Sequence, residues 1–148
     1  MTQQNNQSPE IRLVDHHSTR QAAQQWRLDI LWRFENQTPV PLYILIALPL
    51  TTIVGDPLIL DHTAHTDALP TSPNTDRGFE ILTIPPVDML ERQLSYHLSL
   101  PGSTFTVIGR FAYGYTAPDP AWQQAKNWSQ VAAWQRIADS NGAIIVCK

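Results

Sequence analysis

From Trp26 to Phe34 (WRLDILWRF) the apolar side chains fall on every second residue. Trp26, Leu28, Ile30, Trp32 and Phe34 share one parity, while Arg27, Asp29, Leu31 and Arg33 share the other. A strand turns successive side chains to opposite faces, so the stretch predicts a half-buried strand, extended from about Gln24 to Glu35. At helical spacing the same residues would scatter around the cylinder. Alternation recurs over Glu91–Leu100 and over Phe105–Tyr115. With Pro101-Gly102 as the turn, these two segments read as a hairpin.

Other segments differ in kind. Leu42–Leu48 (LYILIAL) is apolar on both parities and reads as a central strand covered on both sides. It follows the first strand after Asn36–Pro41, so residues 24–48 are expected to form two adjacent antiparallel strands. Ile11–Val14 reads as an edge strand and Ser18–Gln25 as a polar connection. Leu58–Leu60 and Phe79–Ile84 read as short strands, and Val87–Arg92 as a connector with one helical turn. Pro49, Gly55, Pro57, Pro70, Pro73 and Gly78 punctuate the stretch from Pro49 to Gly78, and a loop is expected over 51–78. The segment 121–128 has helix-favouring Ala and Gln, and a helical segment is expected there. A last strand is expected over 143–147, after an Asn141-Gly142 pair that signals a hairpin turn or a helix end; residues 130–139 fit either helix or strand. Seven to eight strands separated by turns predict an all-β, immunoglobulin-like antiparallel β-sandwich over residues 10–148, behind a disordered polar tail at 1–9.

Composition narrows the possible roles. The net charge of -3 spreads ten Lys and Arg along the chain with no run of three, which leaves no electrostatic footprint for nucleic acid or an anionic membrane. No apolar run approaches the length of a membrane span. The opening MTQQNNQSPE has neither a basic segment nor an apolar core, so no secretory signal is expected. Cys147, the single cysteine, rules out an intrachain disulfide and fits a cytoplasmic setting.

Candidate chemistry concentrates in two places. Asp61-His62-Thr63-Ala64-His65-Thr66-Asp67 sets two imidazoles three residues apart between carboxylates, a donor set suited to zinc or a similar ion. His16, His17 and His97 are further donors if the fold gathers them. A blue-copper site fits poorly, because Cys147 stands next to last and no His or Met follows it. The thiol sits among Ile144, Ile145 and Val146, the setting of a small core hydrophobe. Signature motifs for phosphate loops, zinc proteases, serine hydrolases and dinucleotide binding are absent, and no enzymatic role is expected.

The second place is the tryptophan-bearing segment. Trp122, Trp128 and Trp134 recur every six residues, which puts them on different sides of any helix. Exposed aromatics mark binding surfaces. The expected function is therefore a non-enzymatic, cofactor-free module that binds another protein. Its contacts would come from Asp56, Asp61 and Asp67 of the acidic loop and from Trp122, Trp128 and Trp134. Two alternatives stand beside it: a metal-binding sandwich using His62, His65, Asp61 and Asp67, and a carbohydrate-binding module using exposed Trp.

Overall fold

In the alternating segments the pleat puts one apolar face toward a partner sheet, and the molecule is built from such faces. The computed structural model describes residues 8–47, 51–53, 57–63, 79–99, 104–117 and 136–146. The regular elements are β1 (Glu10–Ala22), β2 (Gln25–Asn36), β3 (Leu42–Ala47), β4 (Thr51–Ile53) and β5 (Leu58–Asp61). They continue with β6 (Phe79–Ile84), β7 (Asp88–Ser99), β8 (Thr104–Gly114), β9 (Arg136–Asp139) and β10 (Ala143–Val146). Among the described residues there is no helix, and hence none long and apolar enough to cross a membrane. The helical segment expected over 121–128 lies outside the described residues, as do residues 1–7 of the polar tail. The end of that tail is fixed: Pro9 is buried and the Ser8 hydroxyl lies 3.3 Å from Tyr113 Oη.

The protein is all-β, with two sheets. One is three long strands in the order β1-β2-β7, antiparallel throughout. The other runs β4-β5-β8-β3-β6, with β9 and β10 also on β8. In that second sheet β5 and β3 share one edge of β8, where Leu58 pairs with Val107 and Tyr43 with Gly114. β10 and β9 share the other edge, pairing with Val107 and Arg110 through Ala143 and Asp139. β5 runs parallel to β8, a departure from the all-antiparallel expectation.

Strand identity follows the sequence patterns closely; strand pairing does not. β2 and β3 are not neighbours. Both edges of β2 are taken, by β1 and by β7, so the chain leaves that sheet at Asn36 and starts β3 in the other. Pro39 and Pro41 lack the N–H groups a paired strand would donate. The crossing is held by Asn36 instead. Its buried Nδ2 reaches the carbonyls of Val40 (2.7 Å), Ile84 (3.1 Å) and Pro85 (3.1 Å), and its Oδ1 accepts from the Thr38 hydroxyl (2.7 Å). One side chain thus ties the β2–β3 crossing to the β6–β7 crossing. β7 and β8 do not form a hairpin either, since each lies in a different sheet.

Three local assignments also change. Ser18–Ala22 belongs to β1, which pairs with β2 almost to the turn at Ala23-Gln24. Two register shifts, between Leu13 and Asp15 and between Arg20 and Ala22, break the alternation that would have marked the strand. Gln24 takes φ 61°, a left-handed conformation that costs about 1 kcal/mol for a residue with a Cβ. The expected connector from Val87 is strand from Asp88 onward. Asn141-Gly142 makes neither hairpin nor helix end. Ser140, Asn141 and Gly142 oppose Ile108 and Gly109, a bulge of one residue in a single edge row formed by β9 and β10. Ser140 fills the gap in the ladder: its N–H donates to Gly109 O and its Oγ accepts from Gly109 N–H, both at 2.8 Å.

The core lies between the sheets. Trp26, Leu28, Ile30, Trp32 and Phe34 of β2 and Leu94, Tyr96 and Leu98 of β7 meet Leu42, Ile44, Leu58, Leu60, Leu82, Val107 and Phe111. Phe111 stands edge-on to both Trp32 and Phe34, with ring centres 5.5 and 4.9 Å away. As its two-sided apolar pattern implied, β3 is also buried at Leu45, on the face away from this core.

Trp32 fits because β8 has no side chain opposite it. A Cβ on Gly109 would stand 2.5 Å from Trp32 Cη2 and 2.9 Å from Cζ2 and Cζ3, inside van der Waals contact. Gly109 does not have a positive φ, so the constraint is steric alone. Gly109→Ala is expected to destabilise by about 1–3 kcal/mol, and Trp32→Ala by about 3–5 kcal/mol, in urea denaturation. Combined with Trp32→Leu, the Gly109→Ala penalty should shrink; an undiminished penalty would show that the indole is not the obstacle.

Candidate functional site

The residues expected to carry chemistry meet very different fates. His62 follows β5 directly and is fully buried in the inter-sheet core, flat against Phe111 with ring centres 4.0 Å apart. Its backbone N–H donates to Arg110 O at 2.8 Å, which extends the β5–β8 ladder by one residue. Its Nδ1 lies 3.0 Å from the same carbonyl, and a carbonyl only accepts, so Nδ1 carries the proton. Nε2 is then an acceptor, and Tyr96 Oη donates to it at 2.6 Å. Tyr96 Oη in turn accepts from the Trp32 indole N–H at 2.8 Å. The chain Trp32→Tyr96→His62→Arg110 O satisfies every polar atom in it and joins the two sheets through the apolar core.

Burial sets the protonation of these groups. It lowers His62 from 6.5 to about 4, outweighing the Arg110 carbonyl and the Asp61 carboxylate, both of which raise it. The same burial raises the Tyr96 phenol, against the lowering effect of the Trp32 hydrogen bond. Both are neutral near pH 7. Both ring nitrogens of His62 are engaged, so a metal at this imidazole would have to displace Tyr96 or the Arg110 carbonyl.

Asp61 is also buried, and its Oδ1 accepts from the Thr63 N–H (2.9 Å) and hydroxyl (2.6 Å) in a local turn. Among the described residues no three His, Cys, Asp or Glu side chains cluster as a metal site would require. Asp56, His65, Asp67, Trp122, Trp128, Trp134 and Cys147 lie outside the described residues. His16, His17 and His97 are exposed on the three-stranded sheet.

The surface is most unusual at the β9–β10 row. Among the described residues β9 and β10 pair with β8 alone, on one edge of the sheet. Along that row Ile137, Ile144 and Val146 are exposed, Ile144 at 70%. Ile145, of opposite parity, is buried in the core. The Arg110–Asp139 ion pair, 2.9 Å, spans β8 and β9 in the same row. Sequence reasoning placed a terminal strand here but assigned no surface to it. Its signal was the two-sided apolar run AIIV, of which Ile145 is buried while Ile144 and Val146 are exposed.

No protein-family model, no curated protein and no solved structure matches the chain. The case for function therefore rests on the residues themselves.

Two outcomes test the buried chain. Tyr96→Phe leaves the Trp32 N–H and His62 Nε2 without partners and should destabilise by about 2–3 kcal/mol. The second concerns pH. Because the folded pKa of His62 (about 4) lies below its unfolded value (6.5), its contribution is complete above pH 6.5 and is lost as pH falls toward 4. The unfolded chain binds the extra proton, so unfolding at about pH 4.5 should be easier than at neutrality by about 2–3 kcal/mol from this group. His62→Gln should flatten that window in urea denaturation across pH.

Proposed function

We propose that the chain is a non-enzymatic protein-binding module built on an immunoglobulin-like arrangement of strands. One observation carries the proposal: a row, β9–β10, that among the described residues forms an edge of the sheet, with Ile137, Ile144 and Val146 turned to solvent. Exposed apolar side chains along a sheet edge are a hazard in a solitary protein and a docking surface in one that meets a partner. The backbone groups of such an edge add a strand from another chain, and the alternate side chains set specificity. The Arg110–Asp139 pair would lie at the rim. In this proposal Asp56 and Asp67 of the acidic loop and Trp122, Trp128 and Trp134 extend the contact surface, with the carboxylates drawing a basic partner. The partner is a protein met in the cytoplasm, without nucleic acid or membrane.

The arrangement of strands supports the immunoglobulin-like part. Two mainly antiparallel sheets face each other across one aromatic-rich core, and among the described strands the chain crosses between them from β2 to β3, from β6 to β7 and from β7 to β8, as sandwiches do.

A photo-activated cross-linker at Ile144 is expected to join the module to its partner in host extract. Ile144→Asp should leave thermal unfolding unchanged, because the side chain is exposed, and should weaken partner capture about tenfold or more, the effect of losing a central apolar contact. Undiminished capture by Ile144→Asp with Val146→Asp would overturn the proposal.

A further inference from the structure

Among the described residues two non-glycine residues have positive φ, Gln24 at 61° and Val87 at 54°. Gln24 is polar and exposed, as suits a turn. Val87 is the anomaly. With Pro86 it forms the turn from β6 into β7, where a left-handed position ordinarily carries Gly or Asn. A left-handed conformation presses any Cβ against the backbone, and a branched side chain suffers most. Burial of the side chain does not offset that strain, because Val87 is 77% exposed. Strain that the fold itself does not use clusters at binding and switch positions.

The tip around Val87 is apolar and rigid. The Val87 N–H donates to Thr38 O at 3.1 Å, which ties this turn to the β2–β3 crossing. Asn36 Nδ2 holds both segments, reaching Val40 O at 2.7 Å and Pro85 O at 3.1 Å. Pro39, Pro41, Pro85 and Pro86 are exposed beside it, each with φ fixed by its ring. Met89, 50% exposed, is the next apolar side chain along β7. A surface fixed in this way loses little conformational entropy on binding.

Charge at this end of the three-stranded sheet is one-sided. Met89 is in register with Glu35, and Glu35 with Glu10. Asp88 adds a third carboxylate next to Val87, its Oδ1 accepting the Met89 N–H at 2.8 Å. Arg12 is shared between Glu10 and Glu35, and in the next row Arg33 and Glu91 neutralise each other. Among the described residues, three carboxylates thus flank the tip against one guanidinium. We infer that the tip carrying Val87 docks into a small apolar socket on another protein, rimmed by Lys or Arg. The carboxylates select a basic rim and disfavour an anionic membrane. This surface shares no residue with the β9–β10 row and does not rest on it.

The test begins with the protein alone. Val87→Gly and Val87→Asn relieve the backbone, so each should raise the thermal unfolding midpoint by about 2–4 °C. A photo-activated cross-linker at Met89 of the full chain, in host extract, is then expected to join one protein. That protein is identified, purified and titrated by calorimetry. It should bind Val87→Gly and Val87→Asn about tenfold more weakly than wild type, although both variants are the more stable. About 0.5 M salt should weaken the wild-type complex by screening the carboxylates, and Ile144→Asp should leave the Met89 cross-link intact. A lower unfolding midpoint in both Val87 variants would overturn the inference, because the fold would then need the valine. So would the absence of a cross-link above the unirradiated control, or a second copy of this chain as the cross-linked product. Equal affinity of wild type and both variants, indifference to salt, or binding to phosphatidylserine vesicles that Val87→Gly abolishes would do the same.

Discussion

Trp32 is packed against a strand that has no side chain to oppose it, and much of the interior depends on that contact. The indole approaches Gly109 so closely that a single Cβ would collide with it. Its ring meets Phe111 edge-on, and its N–H begins the hydrogen-bonded chain through Tyr96 to His62 and the Arg110 carbonyl. Trp32 and Tyr96 belong to the three-stranded sheet, and His62, Gly109 and Arg110 to the other side. An apolar contact between sheets is indifferent to small slides, but a hydrogen-bonded chain is not. Each donor in it has one acceptor at one distance, and an unmatched polar atom in this core carries a desolvation penalty. The chain therefore sets how the sheets lie on each other as well as holding them together.

The same economy appears at the crossings between sheets. Asn36 supplies hydrogen bonds where Pro39 and Pro41 cannot, and it joins two crossings that are far apart in sequence. Ser140 does the equivalent at the bulge opposite Gly109, where the backbone ladder is interrupted. In both places a short polar side chain completes backbone pairing, which is why Asn36 and Ser140 are buried although their residue types favour the surface. The polar outer face of the three-stranded sheet shows the opposite regime. Arg33 meets Glu91 at 2.7 Å and Ser95 donates to Asp29 at 2.5 Å, and that bond, aided by Arg27 and opposed by burial, holds the Asp29 carboxyl below its usual range. Such exposed pairs add solubility and register with little stability.

His62 illustrates how a motif changes meaning with its surroundings. In sequence it is half of an HxxH pair between aspartates, a pattern suited to metal ions. In the fold, one residue of extra ladder carries it past the end of β5 into the aromatic core, where its neighbours are Phe111, Trp32 and Tyr96. Sequence carried a faint signal of this: Leu58 and Leu60 precede it at strand spacing, so His62 shares their inward parity. The ends of β1 and β7 were less legible. Gln21 falls on an irregular stretch of β1 where a bulge reverses the parity, and His97 reads as one of several solvent-facing polar residues.

Alternation is a local property, and it determined what local physics can determine. The sequence alone marked Gln24–Glu35, Leu42–Leu48, Phe79–Ile84 and the alternating segments on either side of Pro101 as strands, with Trp26 and Trp32 turned to the core. Pairing is another matter, because every strand edge presents the same N–H and C=O groups, and nearness in sequence favours hairpins that did not form. β2 could not pair with β3 once β1 and β7 had taken both its edges, and β7 could not pair with β8 while the two faced each other across the core. Those choices depend on which apolar faces fit together in three dimensions, down to the absent Cβ at Gly109. Only the tertiary structure decided them, and with them the conversion of His62 from a candidate ligand into a link between sheets.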